Sequence, residues 1–227
     1  MNIHSRFDFT NNLCRPYIDN GTSEPLFDVR VGESFLKKET EKNSHLTPDI
    51  VEHIFLASAF YKKIINFGGF LLHSSCILYK GKAYLFSAPS QTGKSTHTRL
   101  WQSVFGKDYV KIINDDMPLV RFTDGRPFAC GTPFAGGTNI NINISAPIGA
   151  VVFLERAQQN QIERIQPFSA IPLFIEQTKH FNLNISTYTA LLDMIDVLTA
   201  SIPIYRLRCN KNEDSAILAE KTIVTQE

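Results

Sequence analysis

Eight consecutive residues, Ala88-Pro89-Ser90-Gln91-Thr92-Gly93-Lys94-Ser95, have the types and spacing of a phosphate-binding loop. The general pattern is Gly-x-x-x-x-Gly-Lys-Ser/Thr, and alanine holds the place of its first glycine here. In such a loop successive backbone N–H groups point at phosphate oxygens, and the following helix adds partial positive charge at its N-terminus. Lys94 would reach the β- and γ-phosphates of a nucleotide, and Ser95 would hold a magnesium ion. The next residue, Thr96, would touch the α-phosphate. Gly-Lys-Ser recurs by chance, so the flanks carry the weight. The apolar run Ala83-Tyr84-Leu85-Phe86 leads straight into the loop, and a helix follows over about Lys94–Phe105.

A pair of carboxylates, Asp115-Asp116, closes a short apolar strand, Val110–Ile113, about twenty residues after Lys94. A second strand of a nucleotide site places its acid on magnesium at such a position. Adjacent like charges raise each other's pKa, which makes the pair a poor device for stability. One carboxylate could bind the metal and the other take a proton from an acceptor hydroxyl. Asn-Asp-Asp is also good turn composition; the loop upstream favours the functional reading. His73 stands in the apolar strand before the loop's own strand, where a lone histidine is most often a satisfied core or edge residue.

Other candidates are more ambiguous. His97 and Arg99 read equally well as a solvated helix face, and Trp101 reads as core. Glu155-Arg156 reads as a surface ion pair. Arg206 and Arg208 alternate on a strand and point the same way, either to clamp phosphate or to line an edge. Asn139, Asn141 and Asn143 read as a plain solvated loop.

The elements that must position these residues follow from periodicity and punctuation. A helix starts near Thr47, with Thr47 as cap, Pro48 at the first helical position, and Asp49 and Glu52 at the positive end. Ile50, Ile54, Ala57, Tyr61, Ile64 and Ile65 share one face, and Gly68-Gly69 ends the helix. Phe70–Tyr79 reads as one strand, Lys80-Gly81-Lys82 as a turn and Ala83–Ser87 as the next strand. Leu119–Phe122 and Pro127–Cys130 flank a turn at Asp124-Gly125, and Gly131–Asn143 reads as a loop. Pro147–Leu154 is a buried strand, with further strands at Gln161–Ile165 and Pro203–Arg208. Helices are expected at Phe168–Gln177, Thr187–Ala200 and Asn212–Lys221. Residues 1–46 are mixed and polar, with a strand at Pro25–Val31.

A chain of 227 residues fits one domain with a good core. Its 43% apolar and 20% charged residues make an ordinary soluble composition. A net charge of +1 gives no field that would draw the chain to nucleic acid or membrane. No apolar run is long enough to span a bilayer, and the N-terminus lacks a signal-peptide core. Cys14, Cys76, Cys130 and Cys209 lie far apart and form no metal-type pair, which points to reduced thiols in a cytoplasm.

The order His73, strand, Gly turn, strand, P-loop, Asp115-Asp116 resembles the C-terminal catalytic domain of bacterial HPr serine kinase/phosphorylase. ATP-dependent phosphoenolpyruvate carboxykinases share that type of P-loop core. Ser87–Trp101, Ile113–Pro118, Gly131-Thr132-Pro133-Phe134, Phe153-Leu154-Glu155-Arg156 and Tyr205–Asn210 are similar to runs in small HPr-kinase-like bacterial proteins. The resemblance covers roughly residues 45–225. It implies an α/β fold with a P-loop core of the HPr-kinase/carboxykinase type, mixed β-sheets and flanking helices. Residues 47–227 would be the P-loop kinase-like domain, and residues 1–46 an extension packed on it, in one compact body.

The resemblance implies ATP- and Mg2+-dependent transfer of a phosphoryl group to a serine-type hydroxyl on a peptide, small protein or small molecule. His73 and Asp115 would lie near the acceptor, with Asp115 as base. Asp116 would lie nearer the metal, with Ser95. A homo-oligomer stays open. The sequence departs from the family pattern at Ser74, where glycine is common, and at Ala88 and Gln91, which replace P-loop glycines. Cys130-Gly131-Thr132-Pro133 stands where the Glu-Ile-Arg-Gly signature would be, and Ala135-Gly136-Gly137-Thr138 carries no basic residue. These departures argue against HPr as acceptor. They also motivate an alternative, a nucleotide-binding regulatory or recognition module with degraded catalysis. Carboxykinase-like chemistry on a small acid ranks last, because the chain is short and lacks the extra basic residues.

Overall fold

The computed structural model describes residues 1–19, 21, 24–178 and 183–224. The chain divides into two units, Met1–Phe67 and Gly68 onward. Among the described residues no helix is long and apolar enough to cross a membrane.

In the first unit β1 (Asn2–His4) is followed by α1 (Asp8–Cys14), β2 (Asp28–Arg30), α2 (Glu33–Lys42) and α3 (Pro48–Ile64). β1 and β2 pair in parallel, and α3 packs on α1, α2 and β2. Thr47 does precede the first turn of α3. Its hydroxyl hydrogen-bonds the Asp49 carboxylate, however, and makes no cap bond to a helix N–H. The buried stripe of α3 is Val51, Glu52, Leu56, Ala57 and Phe60, while Ile54 is exposed. The helix is therefore rotated from the expected apolar face. Glu52 accounts for part of this. Its carboxylate accepts from Arg6 Nη1 (2.8 Å), Ser5 Oγ (2.8 Å) and Arg6 N (3.0 Å). A fully buried carboxylate is tolerated when it is paired and hydrogen-bonded in this way.

The second unit contains β3 (Gly69–Leu71), β4 (Ser74–Tyr79), β5 (Lys82–Ser87), α4 (Lys94–Phe105), β6 (Lys111–Asn114), β7 (Leu119–Thr123) and β8 (Arg126–Cys130). It continues with β9 (Ser145–Arg156), β10 (Gln161–Ile165), α5 (Pro167–Gln177), α6 (Ile185–Ser201), β11 (Ile204–Cys209) and α7 (Glu213–Ile223). The fold class is α/β. A curled mixed sheet runs β3-β7-β8-β9-β5-β4-β6, with β11 also on β9 and β10 on β11. The long β9 joins its parts. Ser145–Pro147 pair antiparallel with β8, Ile148–Phe153 parallel with β5, and Val151–Arg156 parallel with β11. Trp101 on α4 is fully buried among Tyr84 and Phe86 of β5, Val152 of β9 and Ala216 of α7.

The apolar run Phe70–Tyr79 forms two strands rather than one. At Leu72-His73 the chain changes neighbours, since β3 pairs with β7 while β4 pairs with β5 and β6. Between them the N–H groups of Leu72 and His73 donate to Pro118 O (3.3 Å) and Gln177 O (2.9 Å). His73 thus sits at a junction rather than inside a strand.

Candidate functional site

Strand direction gathers the residues that could do chemistry. The P-loop follows the C-terminal end of β5. β4 is antiparallel to β5, so His73, just before β4, comes to the same edge. β6 is antiparallel to β4, so Asp115-Asp116, just after β6, arrives there too. The backbone closes the junction, with Ser74 N donating to Asp116 O at 3.0 Å and Ser87 Oγ to His73 O at 2.9 Å.

Within the loop, Gly93 holds φ 127° and supplies the turn into α4, a conformation L side chains rarely adopt. Ala88 lies outside the left-handed region, so alanine suits its position, and it is buried. Gln91 holds φ 64°, where glycine would be easier. Arg156, at the end of β9, secures that turn by donating to the carbonyls of Gln91 and Thr92, the latter at 3.1 Å. The first-turn N–H groups of α4 have no intrahelical carbonyl to bond, which leaves them for an anion. Ser95 is half-buried there, and Pro89, Ser90, Thr92 and Thr96 complete the arch.

Lys94 is only 7% exposed. Its ammonium lies 2.9 Å from His73 Nε2, 2.9 Å from Ala88 O and 3.5 Å from Pro89 O. Burial lowers the Lys94 pKa, against the opposing pull of Asp116 and Asp115. An ammonium can only donate, so His73 Nε2 accepts and Nδ1 carries the proton toward Gln177 Oε1 at 3.1 Å. Asp116 Oδ1 lies 3.5 Å from the same Nε2, farther than Lys94. Asp115 is buried; its Oδ1 accepts from Ser75 Oγ at 2.6 Å, and Ser75 Oγ lies 2.9 Å from Thr98 Oγ1 on α4. The other oxygen, Oδ2, is buried and has no hydrogen-bond partner among the described residues. A buried carboxylate oxygen left over is costly unless something supplies a proton or a cation.

A scan of protein families matches residues 38–213 to the family described as SynChlorMet cassette protein ScmC. The chain belongs to the ScmC family. No curated protein matches it. Among solved structures it is similar to the Hpr(Ser) kinase/phosphatase from Coxiella burnetii. The two are 8% identical, with a TM-score of 0.41 over 68% of this chain and 88% of that one.

In this ScmC-family chain the structure thus brings together His73, Lys94, Asp115 and Asp116, and adds residues the sequence did not single out. Asn114 is fully buried. Its Oδ1 accepts from Asp116 N (3.0 Å) and Met117 N (2.7 Å), and its Nδ2 donates to Thr132 O and Oγ1, each 3.1 Å away. It pins the Asp-Asp turn to the segment after β8. Gln177 fixes the His73 ring from 104 residues away. His97, for which a solvated face was one of two open readings, is buried; Trp101 Nε1 donates to its Nε2 at 3.1 Å, and burial lowers its pKa to about 3. Arg206 and Arg208 point the same way, but toward carboxylates. Arg206 Nε lies 2.8 Å from Glu155 Oε1, and both arginines pair with Glu163.

Proposed function

We propose that this ScmC-family protein binds ATP with Mg2+ at the P-loop and transfers the γ-phosphoryl group to a serine-type hydroxyl of a peptide, small protein or small molecule. The observation that carries this reading is the Lys94–His73–Asp116 contact beside the orphaned Oδ2 of Asp115. In this reading Lys94 exchanges its histidine and carbonyl partners for phosphate oxygens. Ser95 and Asp116 supply protein oxygens to the metal. Magnesium characteristically binds through one or two carboxylates plus phosphate oxygens. The donor set is of that kind, one hydroxyl and one carboxylate. When bound, magnesium would neutralise charge developing on the phosphates.

Asp115 takes the acceptor's proton at Oδ2, with Ser75 fixing Oδ1. The acceptor oxygen bonds to the γ-phosphorus, the bond to the bridging oxygen breaks, and ADP leaves. His73, held by Gln177, orients the acceptor. Most of the rate enhancement comes from positioning and charge stabilisation, as is general for phosphoryl transfer.

The test uses ATP labelled in the γ-phosphate, with magnesium and a panel of serine peptides, free hydroxy compounds and small proteins. Transfer by the wild-type chain, abolished in Asp115→Asn with ATP binding retained, is expected. ATP binding without transfer to any acceptor would favour the regulatory or recognition module instead.

A further inference from the structure

β9 outruns β5. Ser87, the last residue of β5, pairs with Phe153, and β9 continues through Leu154, Glu155 and Arg156 alongside the P-loop. There β9 still pairs with β11, Arg156 against Cys209, so the Arg156 backbone is held in a ladder. Its neighbour Glu155 is taken by Arg206 and Arg208, and among the described residues Arg156 makes no ion pair. The guanidinium turns to the loop crown instead. Its Nη2 donates to Gln91 O and its Nε to Thr92 O, the latter at 3.1 Å.

That crown is a strained turn. Thr92 N donates to Pro89 O at 3.3 Å, which closes four residues with Gln91 as the third, at φ 64°. Turns with positive φ at that place call for glycine or asparagine. A residue with a Cβ is disfavoured there by about tenfold in population. A trans peptide sets its C=O and N–H on opposite sides. Holding Thr92 O therefore turns the Gly93 N–H away from Arg156, and no backbone carbonyl takes up that N–H among the described residues.

We propose that Arg156 is a positioning residue for phosphate binding, which compensates for glutamine at position 91 by holding the loop where its N–H groups face the anion. The inference rests on the phosphate-site reading above and adds to it a residue from another strand. A guanidinium suits the task, since its planar fork reaches two carbonyls at once and stays charged at any working pH. Gln91 and Arg156 then act as one unit, and glycine at position 91 would make the clamp redundant.

Calorimetric titration of Mg2+ with ATP, and separately with inorganic tripolyphosphate, tests this on wild type, Arg156→Ala, Gln91→Gly and the double variant. Arg156→Ala should weaken both ligands about tenfold, the population of the turn that the clamp secures. In the Gln91→Gly background the same change should cost less than about threefold. Arg156→Lys keeps the charge but not the two-pronged reach, so it should bind like Arg156→Ala. Arg156 is exposed and holds only the loop, so melting temperatures should stay within about 2 °C of wild type. A second measurement needs no ligand. Protection of the Thr92 N–H from hydrogen exchange should be lost in Arg156→Ala and kept in the double variant.

Equal losses of affinity in both backgrounds would overturn the inference, because the guanidinium would then touch phosphate directly. Wild-type affinity in Arg156→Ala, full recovery in Arg156→Lys, or a larger fall in melting temperature would overturn it too. Failure of the phosphate-site reading looks different. Neither ligand would bind wild type, or both would bind Lys94→Ala as well, while the exchange result would stand.

Discussion

Asn114→Ala removes the amide that holds the Asp-Asp turn. The side chain is fully buried and uses both ends, accepting from two backbone N–H groups and donating to Thr132. Truncation leaves Met117 N buried without an acceptor, takes one from Asp116 N, and takes a donor from Thr132 O. A buried polar group stripped of its partner costs about 1–3 kcal/mol. Asp116 is half-exposed and its N–H can turn to water, so the sum is about 2–4 kcal/mol rather than three full penalties. Urea unfolding monitored by Trp101 fluorescence reads that loss directly. Because the same amide positions Asp116, Mg·ATP affinity should fall as well. Asn114→Asp keeps the acceptor and loses the donor, while adding a third negative charge beside the pair, so it should not rescue. A stability loss below about 1 kcal/mol with unchanged ATP affinity would refute the reasoning.

Two further variants test the same unit. His97 is held neutral in the fold, its pKa lowered to about 3 by burial. Between the unfolded value near 6.5 and that value the unfolded chain binds a proton the fold refuses. The contribution of His97 to stability is therefore full above pH 6.5 and declines by about 1.4 kcal/mol per pH unit as pH falls toward 3. His97→Gln keeps an acceptor for Trp101 and should flatten that slope in denaturation series at pH 7, 6 and 5; an unchanged slope would show that His97 does not set it. At Gly131 a Cβ would lie 1.8 Å from Ile142 O, where the segment before β9 crosses the segment after β8. Gly131→Ala should cost about 3 kcal/mol or more, because that crossing also carries Gly131 N to Ile144 O and Ile142 N to Ile113 O. A melting temperature within about 2 °C of wild type would contradict this.

Much of the site was legible because its parts sit at ends of local elements. The P-loop, the bounds of α4 and the β7–β8 hairpin follow from apolar runs broken by Gly, Asp and Pro. What escaped has physical reasons. The break at Leu72-His73 left no trace, because Leu71, Leu72 and Ser74 are all buried whichever strand they join. α1 and α2 bury only Thr10 and Leu36, so no apolar stripe marks them. Arg206 and Arg208 were placed on the right face, but their partners come from other strands, Glu163 opposite Arg206 on β10 and Glu155 beside Arg208 on β9. His97 could have been found, since it lies four residues before Trp101 and shares its inward face. Gln177 could not, since nothing local ties it to His73.

The central claim is that Lys94 meets nucleotide phosphate beside Asp115. Titration of Mg·ATP into wild type, Lys94→Ala and Asp115→Asn tests it most directly. The account predicts that Lys94→Ala weakens binding by on the order of tenfold to a hundredfold, the loss of a charged hydrogen bond, while Asp115→Asn still binds. Equal affinity in wild type and Lys94→Ala would contradict it.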